Sequence, residues 1–484
     1  MHDLALLSLV KAFWETLYMV FISGFISIVT GLVLGCLLFM TGSRQALENR
    51  WAHRSMGMIV NVTRSIPFII LMISLIPLTR ILAGTSIGTN AALVPLTVAA
   101  IPFYARICEN ALSEVPFGLI ESGNAMGASN WQIITRILIP ESLPALLRGA
   151  TLLIIGLIGY SAMAGVVGGG GLGELAINYG YQRFNVTVML ETVILLVVMV
   201  QLVQMAGDYL AERRSLRPVL LLSALLWAAC FTYQFWPKAA LAEDTIRVGV
   251  MSGQSEEVMK AAASVARNQY GLHLQIVTFN DYVQPNTALN NDSIDANIFQ
   301  HQPYLEGQMQ SRHYALVPIA KTFVYPMGFY SNKIRSLSEL RRGAVIAIPN
   351  DPSNGGRSLL LLEKAGLIAL KPGAGTYAKP ADIIKNPLAL QFRLLDAAQL
   401  PRVLKDADMA AITNDFIGPT GLTISQAVLK EDRDSPYANL IVVRQGDENN
   451  PVYKKLVAVM HSPSVVKAAE TIYPGGAAIP AWKE

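Results

Sequence analysis

The stretch Asn350-Asp351-Pro352-Ser353-Asn354-Gly355-Gly356 leads directly into Arg357. Its composition predicts a turn that opens onto a helix, and the first N–H groups of a helix have no partner within it. Such groups beside a planar guanidinium suit a carboxylate. The same residues also allow an arginine that caps a nearby carbonyl or pairs with Asp351. Upstream, Phe299, His301 and Tyr304 fall within one strand-to-helix turn, and Tyr282 precedes them in a short loop. An aromatic wall of this kind favours a thioether, because sulfur packs well against ring edges. His301 reads either as part of that wall or as a satisfied structural residue. No second His, Cys or carboxylate sits at ligand spacing from it, so no metal is expected.

These residues lie in the polar half of a chain of two characters. Of 484 residues, 52% are hydrophobic and 15% charged, where a soluble domain is about one quarter charged. Met1 to Arg217 holds 13 Lys+Arg and 11 Asp+Glu, with a single lysine, whereas Asp244 to Glu484 holds 24 and 22. The first half belongs in lipid and the second in water. A net charge of +4 spread along the chain argues against a nucleic-acid partner. Cys36, Cys108 and Cys230 all fall in the apolar half, which excludes a disulfide framework. No Gly-Lys pair occurs, so a Walker A loop is absent. The chain is therefore expected to be no enzyme and to bind no cofactor itself.

A membrane span needs about 20 apolar residues. Thr16–Ser43, Ile81–Ala105, Gly149–Gly173 and Pro218–Pro237 carry no charge, and two shorter runs are Ser65–Thr79 and Thr192–Gly207. With Arg64 or Glu191 at the interface, the short runs also reach spanning length, giving six spans. Arg44, Arg50 and Arg54, then Arg106, Arg136 and Arg148, then Arg213, Arg214 and Arg217 fall on one side, and Arg80 and Arg183 on the other. Basic loops stay cytoplasmic, which places the N-terminus and the polar half outside.

Between Glu114 and Leu147 lie Glu121-Ser122-Gly123, Gly127, Ile137 and Ile139-Pro140. Their spacing resembles the EAA signature of ABC importer permeases, with Ser122, Gly123 and Ile139 standing where two alanines and a leucine are usual. The resemblance implies a short surface helix that fits a groove on a separate ATPase. Gly127 would break it from the next helix, and Pro140 would begin the following segment. TRSIPFIILMISLIPLTR and GVVGGGGLGELAINYGYQRFN are similar to the second span and outer loop of methionine-importer permeases of the MetI type, over roughly Leu4 to Arg214. Gly168 to Gly173 also satisfies G-x-G-x-x-G, but no strand precedes it, so tight packing or a re-entrant turn is expected. The segment 218–243 has the layout of a secretory signal peptide. It is expected to persist as an anchor, with cleavage after Ala242 and lipidation at Cys230 as alternatives.

From Thr245 onward, short β-rich runs alternate with helical stretches, which argues an α/β fold with mainly parallel sheets. DANIFQHQPYL, VYPMGFYS, IAIPNDPSNGGRSLLLLEKAGLI and SPYANLIVVR resemble the methionine-binding lipoproteins of the MetQ type, and the likeness runs from Asp244 to Trp482. The resemblance implies a two-lobed type II periplasmic binding protein in which Arg357, with Asn354 beside it, holds the ligand carboxylate. Tyr282, Phe299 and His301 would line the side-chain pocket, and Tyr325 would lie at the lobe crossover. Relatives commonly carry a ligand-contacting asparagine where this chain has Thr413, followed here by Asn414 and Asp415. Asn414 is expected to take over the contact. Asp415 meeting a ligand ammonium, or a different ligand, remains open.

The expected architecture is an all-α polytopic membrane domain of five permease helices plus a sixth anchor-like span, followed by the α/β two-lobed domain. Its boundaries are 1–217, 218–243 and 244–484. The resemblances imply a fused permease and substrate-binding subunit of an ABC importer for methionine, a close analogue or a short methionine peptide. It would sit in the bacterial inner membrane among lipid, as a permease homodimer served by a MetN-like ATP-binding dimer that uses the ATP. A membrane receptor sensing an amino acid without transport is the alternative.

Overall fold

The computed structural model describes residues 2–43, 45–165, 168–182, 185–213, 223–228, 232, 245–432 and 435–482. They fall into two compact units, Met1–Ile177 with Val186–Ala239, and Asn178–Asn185 with Ala240–Glu484.

The first unit is helical. Its helices are α1 His2–Thr41, α2 Arg50–Ser65, α3 Phe68–Ser74, α4 Ile76–Ala83 and α5 Thr89–Ser113. They continue with α6 Phe117–Ala125, α7 Asn130–Ile133, α8 Ile139–Gly165, α9 Gly171–Leu175 and α10 Val186–Arg213. Among the described residues, Ser8–Thr41, Thr89–Ser113, Asn130–Gly165 and Val186–Arg213 are long and apolar enough to cross a membrane, and α2 with α3 makes a fifth span bent by 104°.

Three of the expected spans differ in detail. Ser65–Thr79 is not a continuous helix, because Pro67 lacks an N–H and leaves Ile66 extended at φ −82 and ψ 123, which ends α2. Ile81–Ala105 is divided where Gly84 takes the left-handed φ of +72 and closes α4. The helix expected over Gly149–Gly173 instead begins far upstream and ends at Gly165. Absence of charge reports residence in lipid, not straightness. Of the sixth run, residues 223–228 and 232 are described, as helix. There the Trp227 ring lies edge-on to Phe21 and Phe25 at 5.6 and 5.3 Å. Cys230, Ala242 and the basic residues Arg44, Arg183, Arg214 and Arg217 lie outside the described residues.

Small residues let these helices touch. A Cβ on Gly35 of α1 would come within 2.7 Å of the Ala105 carbonyl oxygen on α5. One on Gly173 of α9 would overlap the Ala162 backbone of α8. The glycine run of G-x-G-x-x-G spacing is thus a packing device, held further by Gly171 N–H donating to Glu15 at 2.9 Å and Gly170 N–H donating to Glu174 at 2.8 Å.

The second unit contains β1 Thr245–Met251, β2 His273–Phe279, β3 Ala296–Asn297, β4 Leu316–Val324, β5 Gly328–Tyr330 and β6 Val345–Pro349. After these come β7 Ala369–Leu370, β8 Ile383–Lys385, β9 Gln391–Leu395, β10 Met409–Ile412, β11 Leu429–Lys430, β12 Ala438–Arg444 and β13 Ile479–Pro480. One lobe is a six-stranded sheet in the order β13-β4-β12-β3-β1-β2, and the other a five-stranded sheet in the order β11-β5-β10-β6-β9. The sheets are mixed rather than mainly parallel. β1 runs parallel to β2 and β3, and β6 to β9 and β10, but β12 pairs antiparallel with β3 and β4, and β5 antiparallel with β10 and β11. The chain passes from one lobe to the other after β4 and back again after β11, and the strands next to these crossings, β4, β5, β11 and β12, supply the antiparallel pairings. In the second lobe Ile346 and Ile348 of β6 pack with Leu359 and Leu362 of the following helix Pro352–Lys364, which fixes that helix on its sheet.

Gly173→Ala should lower the yield of monodisperse protein in detergent several-fold, because backbone cannot move aside as a flexible side chain can. Gly156→Ala, which faces open space, should leave the yield unchanged. Size-exclusion of fluorescently tagged chains measures both.

Candidate functional site

Tyr282, Phe299, His301, Asn354, Arg357 and Asn414, the six residues expected to meet a ligand, line one small cavity of ≈ 30 Å³. Gln300, Tyr304, Tyr325, Thr413, Asp415 and Asn439 complete its wall. Tyr282 follows β2, and Phe299 to His301 follow β3. Asn354 and Arg357 follow β6, and Thr413 to Asp415 follow β10. All lie just beyond the carboxyl ends of parallel strands, Asn354 and Arg357 in the first turns of the helix Pro352–Lys364, the usual place for a ligand in an α/β sheet.

The aromatic wall forms as expected. Tyr282 and Phe299 stack at 6.0 Å and 30°, and Tyr304 meets them edge-on at 5.9 and 5.8 Å. Phe416 adds a fourth ring 5.5 Å from Tyr282. Tyr304 OH donates to the Tyr282 carbonyl at 2.6 Å, locking the two loops together. Beneath them is a buried amide cluster that sequence reading missed. Asn286 donates to Gln300 at 2.7 Å, and Asn297 donates to Asn286 at 2.9 Å. Its signal was the polar Asn297 and Gln300 set among apolar residues in DANIFQHQ.

His301 caps the helix Gln302–Arg312, its Nδ1 accepting the Tyr304 N–H at 3.3 Å. Nδ1 is therefore the acceptor, so Nε2 carries the proton and donates to Asn354 Oδ1 at 3.1 Å. Burial, then the charge of Arg357, lowers its pKa to about 3. It is a neutral, satisfied residue that also faces the cavity.

Arg357 is held differently from expectation. Its Nε and Nη2 donate to both carboxylate oxygens of Glu431, Nη2 also donates to the Tyr325 carbonyl at 3.0 Å, and the guanidinium lies 4.3 Å over the Tyr437 ring. The partner is Glu431, not Asp351, and nothing near Arg357 in the sequence marks it. Arg357 lines the cavity, and its Nη1 is the guanidinium nitrogen without a hydrogen-bond partner among the described residues. The helix start is likewise occupied. Asp351 accepts the Asn354 N–H at 2.8 Å and the Asn354 side-chain amide at 3.1 Å, so that N–H is not offered to a carboxylate.

Asn414 turns its amide nitrogen to the Ala477 carbonyl at 3.0 Å, while its buried Oδ1 has no hydrogen-bond partner among the described residues. Asp415 beside it accepts Ser255 Oγ at 2.7 Å and Tyr282 OH at 2.9 Å. Burial pushes the Asp415 carboxyl up from the usual range, with the Ser255 and Tyr282 donors and then the Arg357 charge acting against it. Four of these bonds join one lobe to the other: His301 to Asn354, Asn414 to Ala477, Tyr282 to Asp415 and Ser255 to Asp415. The lobes are closed around a space of one or two waters, and a ligand of amino-acid size requires them to part.

In the helical unit the EAA-like loop has its own order. Glu121 is exposed on α6, and Gly127 turns the chain at φ +76. Ser129 and Gln132 form a capping box at the start of α7. Ile137 packs against Gly123, where a Cβ would sit 2.7 Å from Ile137 Cδ1, so α6 approaches closely because residue 123 is not alanine. Exposed Pro140 does not begin a new segment. A π-helical turn over Ile134–Leu138 carries one continuous helical stretch, Asn130–Gly165, past it, in keeping with a proline that cannot donate its helical hydrogen bond. Ile120, Ile133 and Leu138 bury this loop against Phe39, Met40 and Leu112 of α1 and α5. Met126 and Trp131 remain 80% and 72% exposed.

A two-lobed α/β unit with a polar and aromatic interlobe cleft is a ligand-binding domain, and the bundle of apolar helices with its surface loop is a transporter membrane domain. The chain belongs to two families joined end to end: residues 246–482 match the NlpA lipoprotein family, and residues 27–216 match the binding-protein-dependent transport system inner membrane component. The D-methionine-binding lipoprotein MetQ of Salmonella typhimurium is 48% identical over 235 residues, 48% of this chain and 87% of that protein. The "Probable D-methionine transport system permease protein MetI" of Pasteurella multocida is 55% identical over 199 residues, 41% of this chain and 92% of that one. A nutrient binding protein from Burkholderia cenocepacia, solved bound to methionine, is 44% identical with a TM-score of 0.48, covering 49% of this chain and 100% of its own.

The depressed pKa of His301 sets a pH window. The unfolded chain takes up a proton at about pH 6.5 and the folded one at about 3. Between these values the unfolded state binds more protons, so stability falls as pH falls. The loss from pH 6.5 to 4 is on the order of 3 kcal/mol. His301→Gln should melt lower at neutral pH, through loss of the cap, yet show a flatter decline toward pH 4 in thermal scans.

Proposed function

We propose that this chain is the fused permease and substrate-binding subunit of an ABC importer for methionine, a close analogue or a short methionine peptide. The observation that carries the reading is the meeting of Tyr282, Phe299, His301, Asn354, Arg357 and Asn414 in one buried cleft, in a chain whose other half is a permease. The rings receive the thioether, and Nη1 of Arg357 receives the carboxylate. Residues 1–217 form the permease as a homodimer, 218–243 persist as an anchor, and 244–484 lie with the N-terminus on the periplasmic side of a bacterial inner membrane. A separate MetN-like ATP-binding dimer docks on the loop carrying Glu121, Gly127, Ile137 and Pro140, where exposed Met126 and Trp131 offer apolar contact. That partner binds and hydrolyses the ATP.

Calorimetric titration of the full chain in nanodiscs with methionine, its sulfoxide and a methionine dipeptide tests the ligand. Methionine should bind, and Phe299→Ala should weaken it roughly tenfold, about 1.4 kcal/mol. A wild-type chain that does not bind methionine rejects the reading.

Gly127→Val forces a β-branched residue into a left-handed turn, at a cost of about 1–2 kcal/mol. It should leave methionine affinity unchanged and abolish both co-purification of the ATPase and uptake by proteoliposomes. Uptake with no ATPase added would remove the importer reading.

A further inference from the structure

Three acids lie in or beside the cleft, and their charges are met in different ways. Glu431 is paired with Arg357. Asp351 sits at the start of the helix Pro352–Lys364 and takes three donors, the Asn354 N–H, the Asn354 amide and the Ser353 hydroxyl. Asp415 lines the cavity at 8% exposure and is met by two neutral hydroxyls, those of Ser255 and Tyr282. Among the described residues no lysine or arginine stands within ion-pair distance of it. Arg357, which shares the cavity, is already bonded to Glu431.

A buried carboxylate is costly unless a cation or several strong donors compensate it. An ionised carboxylate has about four acceptor sites, of which two are used here. We propose that the Asp415 carboxylate is the receptor for the ligand's α-ammonium group, and thereby makes this cleft select a free amine over a hydroxy or acylated analogue. The inference rests on the amino-acid reading of the cleft given above. An ammonium supplies both the missing charge and the missing donors, in charge-assisted hydrogen bonds. The adjacent Asn414 offers an oxygen but no charge, and its amide nitrogen is committed to Ala477. The assignment divides the ligand into an ammonium at Asp415, a carboxylate at Arg357 Nη1 and a tail among Tyr282, Phe299 and Tyr304.

The test is calorimetric titration of the full chain in nanodiscs at neutral pH with three probes: methionine, its 2-hydroxy analogue and N-acetylmethionine. Wild type should prefer methionine to each analogue by at least tenfold. Asp415→Asn, which keeps the shape and the acceptor for Tyr282, should bind methionine roughly 10- to 100-fold more weakly. The methionine-to-hydroxy-analogue ratio should shrink by a similar factor. Asp415→Thr should behave likewise, and thermal melting checks that both variants fold. Should neither fold, the wild-type arm decides: equal affinity for methionine and its hydroxy analogue overturns the proposal. Methionine binding that Asp415→Asn leaves intact overturns this proposal alone, whereas a wild-type chain that binds no methionine overturns the underlying reading with it.

Discussion

The binding unit depends on one buried ion pair. Arg357 and Glu431 have side chains 4% and 9% exposed, and the two-point contact between them spans the passages that connect the lobes. Glu431 opens the second passage and also accepts the N–H of Met327 in the first, while Arg357 bonds the carbonyl of Tyr325 there. Taking two charges out of water is expensive, and only good geometry with further hydrogen bonds offsets it. Here the further bonds exist, from Met327, from Ser435 and to Tyr325, together with the face of Tyr437. Removing either partner would leave an uncompensated buried charge, a loss on the order of 3–5 kcal/mol. The hinge and the orientation of the arginine are therefore one feature. On the proposed reading, a ligand carboxylate would meet a guanidinium already fixed in place, so little side-chain freedom would be lost on binding.

The bonds across the cleft are of another kind. His301 to Asn354, Tyr282 to Thr413 and Asp415, and Ser255 to Asp415 use one amide, three hydroxyls, one imidazole and the Asp415 carboxylate. A neutral hydrogen bond contributes about 1 kcal/mol net, one to a charged group somewhat more, and water replaces either when the lobes part. Strong, multiply supported contacts sit at the hinge and exchangeable ones at the mouth. This arrangement permits opening about the two passages between the lobes without loss of either lobe's core. It also explains why cleft side chains can be satisfied without a ligand and still be available to one.

Much of this was legible in the sequence, and the exceptions share a cause. The aromatic wall could be read because Phe299, His301 and Tyr304 are close in the chain, so that one turn brings them together. Arg357 announced itself through its Gly-Gly turn, but Glu431 lies 74 positions away, and no local pattern links the two. Asn439 was missed for the same reason, since only the pairing of its strand sets it opposite His301. In the membrane half, the spans were visible as charge-free runs, yet breaks at Pro67 and Gly84 were not drawn from them. Hydropathy measures the medium around a segment, whereas proline and glycine govern its direction. Pro140 misled in the opposite sense, because a π-helical turn can carry a helix through a proline that would otherwise end it.

The continuity of Asn130–Gly165 bears on how such a chain could transmit work. Its 36 residues make a rod of about 54 Å that begins within the EAA-like loop and runs on through the bilayer. The loop is tied to this rod by Ile137 against Gly123 and to α1 and α5 by the buried cluster around Phe39 and Leu112. A partner that moves α6 therefore moves packed helices rather than a slack connection, because close-packed interiors shift as units. On the importer reading, the covalent link to the binding unit adds a second constraint. A short tether holds the binding unit near its own pore at an effective concentration of millimolar order, without any new contact. Delivery of ligand then depends little on how much binding protein a cell makes, and more on how often the closed cleft opens.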